Sequence, residues 1–319
     1  MDLRNLLGIE YPIIQGGMAN IATGAFAALI SEIGGLGLIA SGGYSADQLR
    51  EQIRIARSKT KKPIGVNLMM MHPQVEEIAA LLIEERVSVV TTGAGMPGKY
   101  IPGWKEAGIK VFPVIPSVAL ARRVAAQGAD GVIAEGCESG GHVGELTTMA
   151  LVPQVVDALD IPVVAAGGIA SGRQMLAALA LGACGVQIGT TLLRAQECPI
   201  HDNYKQAILK AKDTDTTVTG RIAGVPVRIL KNKMAQEYLK LEKSGASRDE
   251  LEHFTLGSLR RAVFDGDTSN GSLMAGQVAG QLKEIQPAEA IIKGLFEDCK
   301  KAFAALGAHP LLKSKGNAE

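Results

Sequence analysis

The chain has 319 residues, 47% of them hydrophobic, and 33 basic against 32 acidic side chains leave a net charge of +1. That length holds one large barrel or two ordinary domains, and the balanced charge argues against nucleic acid as a main partner, because phosphate binding wants a basic face. No apolar run reaches the roughly 20 residues that span a bilayer, and the opening MDLRNLLGIEYP lacks a long apolar signal core.

Along the chain, short apolar runs alternate with longer amphipathic ones. Candidate strands cover 11–15, 37–40, 63–68, 88–92, 110–115, 131–135, 162–166 and 185–188. Between them lie helical patterns at 22–33, 46–58, 75–86, 99–107, 118–127, 153–159 and 172–181. Ser45 with Gln48, and Ser171 with Gln174, read as capping boxes. Pro153 suits a first helical turn rather than an interior. Alternating strands and helices imply parallel pairing with right-handed crossovers. Eight such strands point to an α/β fold, a (β/α)8 TIM barrel.

The alternation stops after Gly189. From Cys198 to Asn270 the chain is more polar, shows no strand alternation, and carries helical stretches at 234–243 and from Ser247 with Glu250. This predicts an inserted, mostly helical lid over 198–270, with 1–197 and 271–319 forming the barrel. Helices at 278–285 and 287–306 close the chain, and the polar tail 313–319 is expected to fray.

Barrel active sites form at the strand C-terminal ends. Here those ends read Gln15-Gly16-Gly17-Met18-Ala19, Ser41-Gly42-Gly43, Asn67, Thr92-Gly93, Pro116-Ser117, Glu135, Ala166-Gly167-Gly168-Ile169 and Gly189-Thr190. Small residues and amides recur, and no cluster of His, Asp and Glu has metal-ligand spacing. Barrels often bind phosphate through backbone N–H groups after the last two strands, helped by a helix N-terminus. Gly167-Gly168, the helix capped at Ser171, and Gly189-Thr190 match that arrangement. A flat, phosphate-bearing cofactor such as FMN fits the glycine-lined ends, with Asn67 and Gln15 supplying amide contacts. No GxGxxG opens a helix after the first strand, so a dinucleotide domain is not indicated.

After Glu135 comes the loop GCESGGHVGEL, which sets His142 among Gly140, Gly141 and further glycines. A histidine held at a strand end can move a proton near neutral pH, and the plainer reading is a structural loop contact. Glu135 fixes either a flavin contact or the loop backbone. Cys137 reads as a small residue facing a ligand more readily than as a nucleophile. The four cysteines, Cys137, Cys184, Cys198 and Cys299, have neither CxxC spacing nor a framework pattern, so they read as free thiols in a reducing, cytoplasmic compartment. His72 is placed to line the pocket; His201, His253 and His309 read as solvated or structural. Arg228 and Lys231 are candidates for an acidic partner or a phosphate, or are solvated lid residues. Met274, Gly276 and Gln277 lie where the chain returns to the barrel and can cap the cofactor.

QGGMA at 15–19, GVN at 65–67, TTGAG at 91–95, EGxExGGHxGxLTT at 135–148, AAGGI at 165–169, QIGT at 187–190 and GSxMAGQ at 271–277 resemble the FabK-type enoyl-acyl-carrier-protein reductases. These belong to the nitronate monooxygenase (2-nitropropane dioxygenase-like) flavoproteins. The likeness covers nearly the whole chain, and Val225 departs from the histidine usual before PVR. The resemblance implies a barrel with a lid and tightly bound FMN. It also implies NADH or NADPH as electron donor, and stimulation by a monovalent cation such as K+ or NH4+. It implies reduction of trans-2-enoyl thioesters on acyl carrier protein, the last step of fatty-acid elongation, by a homodimer. His142 would donate a proton to the α-carbon or polarise the thioester carbonyl. The alternative within the same superfamily is a nitronate monooxygenase.

Overall fold

A computed structural model describes residues 2–309. Its frame is an eight-stranded sheet of parallel pairs in the order β1-β9-β8-β6-β5-β4-β3-β2. The members are β1 (Ile13–Gln15), β2 (Gly37–Ala40), β3 (Ile64–Met69), β4 (Val89–Gly93), β5 (Lys110–Ile115), β6 (Val132–Glu135), β8 (Val163–Ala166) and β9 (Gly185–Ile188). The sheet closes between its two end strands, where Gln15 N–H donates to the Leu36 carbonyl and Leu36 N–H to that of Ile13, both at 2.9 Å. The result is the expected (β/α)8 barrel. Strand positions follow the sequence reading to within two residues, because buried parallel strands read as continuous apolar runs.

Alternate residues serve two cores. Ile14, Leu38, Val89, Phe112, Ile133 and Val164 fill the barrel interior, and Leu3 and Leu7 of the short N-terminal helix join them. Leu3 lies so close to the start of β9 that a Cβ on Gly185 would meet its Cδ2 at 2.5 Å, so this helix covers the N-terminal end of the barrel. The other face of each strand packs against the surrounding helices, with Trp104 fully buried among them.

Local signals explain most helix starts. Ser45 and Gln48 form a reciprocal capping box, as do Ser247 and Glu250. At Ser171 the hydroxyl accepts from Gln174 N–H, but the Gln174 side chain accepts from Ala170 N–H instead of closing the box. One helix departs further. It runs over Thr148–Ala158 with Pro153 in its interior. The start is set from outside the helix, since the Glu138 carboxylate accepts from Thr148 N–H at 2.9 Å. Pro153 leaves the carbonyl of Met149 unpaired by the helix, and Met149 is 66% exposed, so water can satisfy it.

The segment after the barrel strands is not purely helical. Thr216–Thr219 (β10) and Val227–Leu230 (β11) pair antiparallel, and β11 also pairs with Gly141–His142 (β7) in the loop after β6. Helices at Lys233–Lys243 and Arg248–Thr255 pack a small cluster of Ile229, Met234, Ala235, Tyr238 and Leu251 onto this hairpin. An unforeseen helix, Asp202–Lys210, sends Tyr204 and Ile208 into the barrel-side core. The helix expected at 278–285 is only a 3-10 turn, Gln277–Gln281, after which the chain extends so that Gln286 bridges to Ala195. The last helix, Ala288–Gly307, begins after Pro287 as expected. The predicted fraying at 313–319 lies outside the described residues. Among the described residues, no helix is long and apolar enough to cross a membrane.

Candidate active site

The strand C-terminal ends open into a cavity of about 410 Å3, within the size range of small-molecule sites. Of the residues expected there, Gly17, Met18, Ala19, Gly42, Asn67, Glu135, Gly140, Gly141, His142, Ala166, Gly167, Gly168, Gly189, Thr190 and Met274 line it. Thr92, Gly276 and Gln277 do not: Thr92 is buried in β4, and the other two hold the wall from behind. Gly276 N–H donates to Thr190 Oγ1 at 2.8 Å, and Gln277 N–H to the Glu138 carbonyl at 2.9 Å. Gln15 also lies outside the lining. It is fully buried beside the β1–β2 seam, where its Oε1 accepts from Leu38 N–H.

The glycines form a wall without side chains. At Gly167 and Gly168, φ is +90° and +74°, a region that L side chains avoid. The turn thereby presents successive backbone amides at the end of β8, and the helix beginning at Gly172 follows. Gly189 and Thr190 supply the neighbouring corner. With Thr190 Oγ1 accepting from Gly276, its hydroxyl hydrogen remains to donate to a ligand. The opposite wall is equally close-packed, since a Cβ on Gly140 would meet the Ala275 backbone at 2.7 Å. Asn67 is oriented by donating to Thr91 Oγ1 at 2.9 Å. A Cβ at Gly17 would fall 2.3 Å from its Cγ, so the bare backbone there makes room for the amide. Sequence reasoning missed Gln187, which lines the cavity and whose Oε1 is buried without a partner among the described residues. Its place in QIGT, beside the expected Gly189 and Thr190, was the available signal.

Three titratable groups line this cavity: Glu135, Glu138 and His142. Glu135 ends β6 opposite Ala166 of β8. Enclosure by protein pushes its carboxyl up to about 7, with the Ser139 hydroxyl pulling the other way. His142 exposes its ring toward the cavity, and the surrounding protein still disfavours the imidazolium, holding the pKa below the usual 6.5. At neutral pH the imidazole is therefore largely neutral.

Glu138, between the other two in the chain, also braces the loop. The Glu138 carboxylate accepts from Thr148 N–H and lies 3.0 Å from Thr148 Oγ1, which also reaches the Gly167 carbonyl at 3.0 Å. This link ties the histidine loop to the Gly167–Gly168 turn and explains the spacing of the acid and threonine in the extended motif. The Cys137 thiol is raised by burial and by Glu138, and it is not among the cavity-lining residues, so nothing activates it as a nucleophile. His72 does not line the cavity. Its Nε2 meets the Tyr44 carbonyl at 3.0 Å and its Nδ1 accepts from Gln74 N–H. His201 likewise serves a helix end, accepting from Asn203 N–H. Arg228 is not solvated and, among the described residues, pairs with no acid: it is buried and donates to the Cys137 carbonyl. Lys231 is exposed on the insert. Val225 sits half-buried in the turn between β10 and β11, its N–H donating to the Gly220 carbonyl, and does not line the cavity.

Fold and cavity define a (β/α)8-barrel protein with a cavity at its strand C-terminal ends. The chain belongs to the nitronate monooxygenase family, whose model matches residues 2–83 and 77–298, and it is an oxidoreductase of that family. Among solved structures it is similar to FabK from Thermotoga maritima, with a TM-score of 0.94 and 47% identity over 96% of this chain and 98% of that one. A probable nitronate monooxygenase of Staphylococcus aureus is 33% identical, covering 92% of this chain and 96% of its own length. A (3aS,4S,5R,7aS)-5-hydroxy-7a-methyl-1-oxo-octahydro-1H-indene-4-carboxyl-CoA dehydrogenase of Rhodococcus jostii is 33% identical over 96% of this chain and 97% of its own.

Proposed function

We propose that this protein holds FMN in the strand-end cavity and reduces trans-2-enoyl thioesters of acyl carrier protein to acyl thioesters, with NADH or NADPH as electron donor. The observation that carries the reading is the near-complete likeness to FabK, greater than that to the relatives named for nitronate or CoA-ester chemistry. The residues present fit a flat, phosphorylated cofactor. Gly167, Gly168, Gly189 and Thr190 offer backbone amides and a hydroxyl for a phosphate. The glycine wall admits a planar ring, and the unpartnered Gln187 Oε1 can accept from a ring N–H. When bound, FMN supplies hydride transfer between the nicotinamide and the enoyl carbon chain.

The rest is work for the protein's own groups. Glu135, near half-protonated at neutral pH, can donate a hydrogen bond into the cavity. A neutral His142 is suited to donate its ring N–H to the thioester carbonyl oxygen, where negative charge develops as the β-carbon is reduced. The lowered pKa makes this role more accessible at neutral pH than full proton donation. Ile115, Val143, Leu193, Leu259 and Val278 add apolar wall for an acyl chain and help exclude water. Residues 198–270 act as the cover on the substrate side, contributing Leu259. A homodimer and a monovalent cation complete the reading taken from the FabK-type resemblance.

The test is anaerobic oxidation of NADH or NADPH by the purified protein, with and without a short trans-2-enoyl thioester on acyl carrier protein or coenzyme A. Oxidation that depends on the enoyl compound supports the reductase, and the carrier that works identifies the partner. No such oxidation, with oxygen uptake on adding an alkyl nitronate, would replace this reading by nitronate oxidation, the activity named for the Staphylococcus aureus relative.

A further inference from the structure

His142 stands on a strand of two residues, and what holds that strand lies in the insert. β7 pairs with β11 in the register His142 to Val227 and Gly141 to Arg228. The next amide, Val143 N–H, donates to the Pro226 carbonyl at 3.1 Å. A strand this short does not persist alone. At the start of the same loop, Arg228 Nε and Nη2 both donate to the Cys137 carbonyl, at 3.1 and 3.0 Å. Its Nη1 donates to Thr216 Oγ1 at 3.1 Å, across the hairpin on β10. Arg228 is 7% exposed and, among the described residues, forms no ion pair. Placing a guanidinium on neutral acceptors in the interior is costly, and its fixed fork is what allows one side chain to bind the loop and the hairpin together. Among the described residues, the one ion pair between loop and insert, Arg221 with Glu145 at 2.7 Å, is exposed at the far end, where such pairs contribute little.

We infer that Arg228 is a positioning residue for His142: its guanidinium fastens the Cys137 carbonyl to the insert hairpin and so fixes the two-residue strand that carries the imidazole over the cavity. The insert then supports the active-site wall as well as covering it. The importance of this for turnover rests on the proposed reductase reaction, whereas the placement of His142 does not.

The experiment reads the placement directly. Amide exchange at Val143 and the pH titration of the His142 ring are followed by NMR in the full chain, for the wild type, Arg228→Lys and Arg228→Met, with His142→Ala to assign the ring signal. Lysine keeps the charge but cannot span Cys137 and Thr216 together. Val143 should exchange about 10- to 100-fold faster in both variants relative to amides of β6 and β8, with the smaller change in Arg228→Lys. The ring pKa should move up toward 6.5 as the loop loosens into water. Unchanged Val143 exchange and ring titration in folded Arg228→Lys would overturn the inference and leave Arg228 as a stabiliser of the hairpin. If Arg228→Met fails to fold, Arg228→Lys decides alone. Absence of enoyl-dependent turnover in the wild type would remove the reductase reading without touching either measurement.

Discussion

Replacing Glu135 by Gln should make the protein more stable at alkaline pH and leave it unchanged in acid. Below about 4.5 the carboxyl is neutral in folded and unfolded chains alike, so the position carries no charge penalty. Between 4.5 and about 7 the unfolded chain releases the proton while the enclosed Glu135 keeps it, so folding weakens as pH rises. Above about 7 the folded protein must hold a carboxylate in the cavity wall, and the penalty is complete. The gap from 4.5 to about 7 corresponds to about 3 kcal/mol. Gln is close in shape and never ionises, so Glu135→Gln escapes this cost. The assay is urea unfolding of ligand-stripped wild type and variant at pH 4.5 and pH 8. The variant should gain up to about 3 kcal/mol at the higher pH and almost nothing at the lower. An equal difference at both values would mean that Glu135 titrates alike in both states, and a loss at pH 8 that the folded protein stabilises its carboxylate; either would refute the reasoning.

His142→Ala should retain bound flavin and lose about 10²–10⁴-fold in enoyl reduction; turnover at the wild-type rate would remove the proposed role. Gly168→Ala and Gly168→Asp share the strain of φ at +74°, so their difference in flavin content, measured by visible absorbance, reports charge. The aspartate should bind less flavin, and equal retention in both would remove the phosphate assignment. Tyr204→Phe deletes the bond from a fully buried hydroxyl to the Met274 carbonyl at 2.9 Å. It should cost about 1–3 kcal/mol in unfolding free energy, and a variant as stable as the wild type would show that water replaces the hydroxyl.

The eight apolar runs were legible because each strand is buried on both sides, and the glycine clusters at their ends marked the cavity before any coordinates. Where the reading failed, the missing term was a contact from a distant part of the chain. Pro153 signals a helix start by its own preferences, yet Glu138 begins that helix at Thr148 by accepting its N–H. The β-branched run Thr216-Thr217-Val218-Thr219 carries strand propensity, but in a polar segment without alternation it had no visible partner until β11 lay beside it. Gln15 looked like a ligand amide because it opens QGGMA, and only the closed barrel shows that its side chain is buried on the Leu38 N–H instead.

By itself, then, the sequence determined the barrel, the strand ends that make the site, and the glycine-set histidine, because these follow from local periodicity and from conformations only glycine adopts. Tertiary structure decided the environments. The shifts at Glu135 and His142 come from enclosure by residues far away in the chain. The seating of His142 on the insert, with Arg228 spanning 91 residues to the Cys137 carbonyl, depends on a strand pairing that no local pattern encodes.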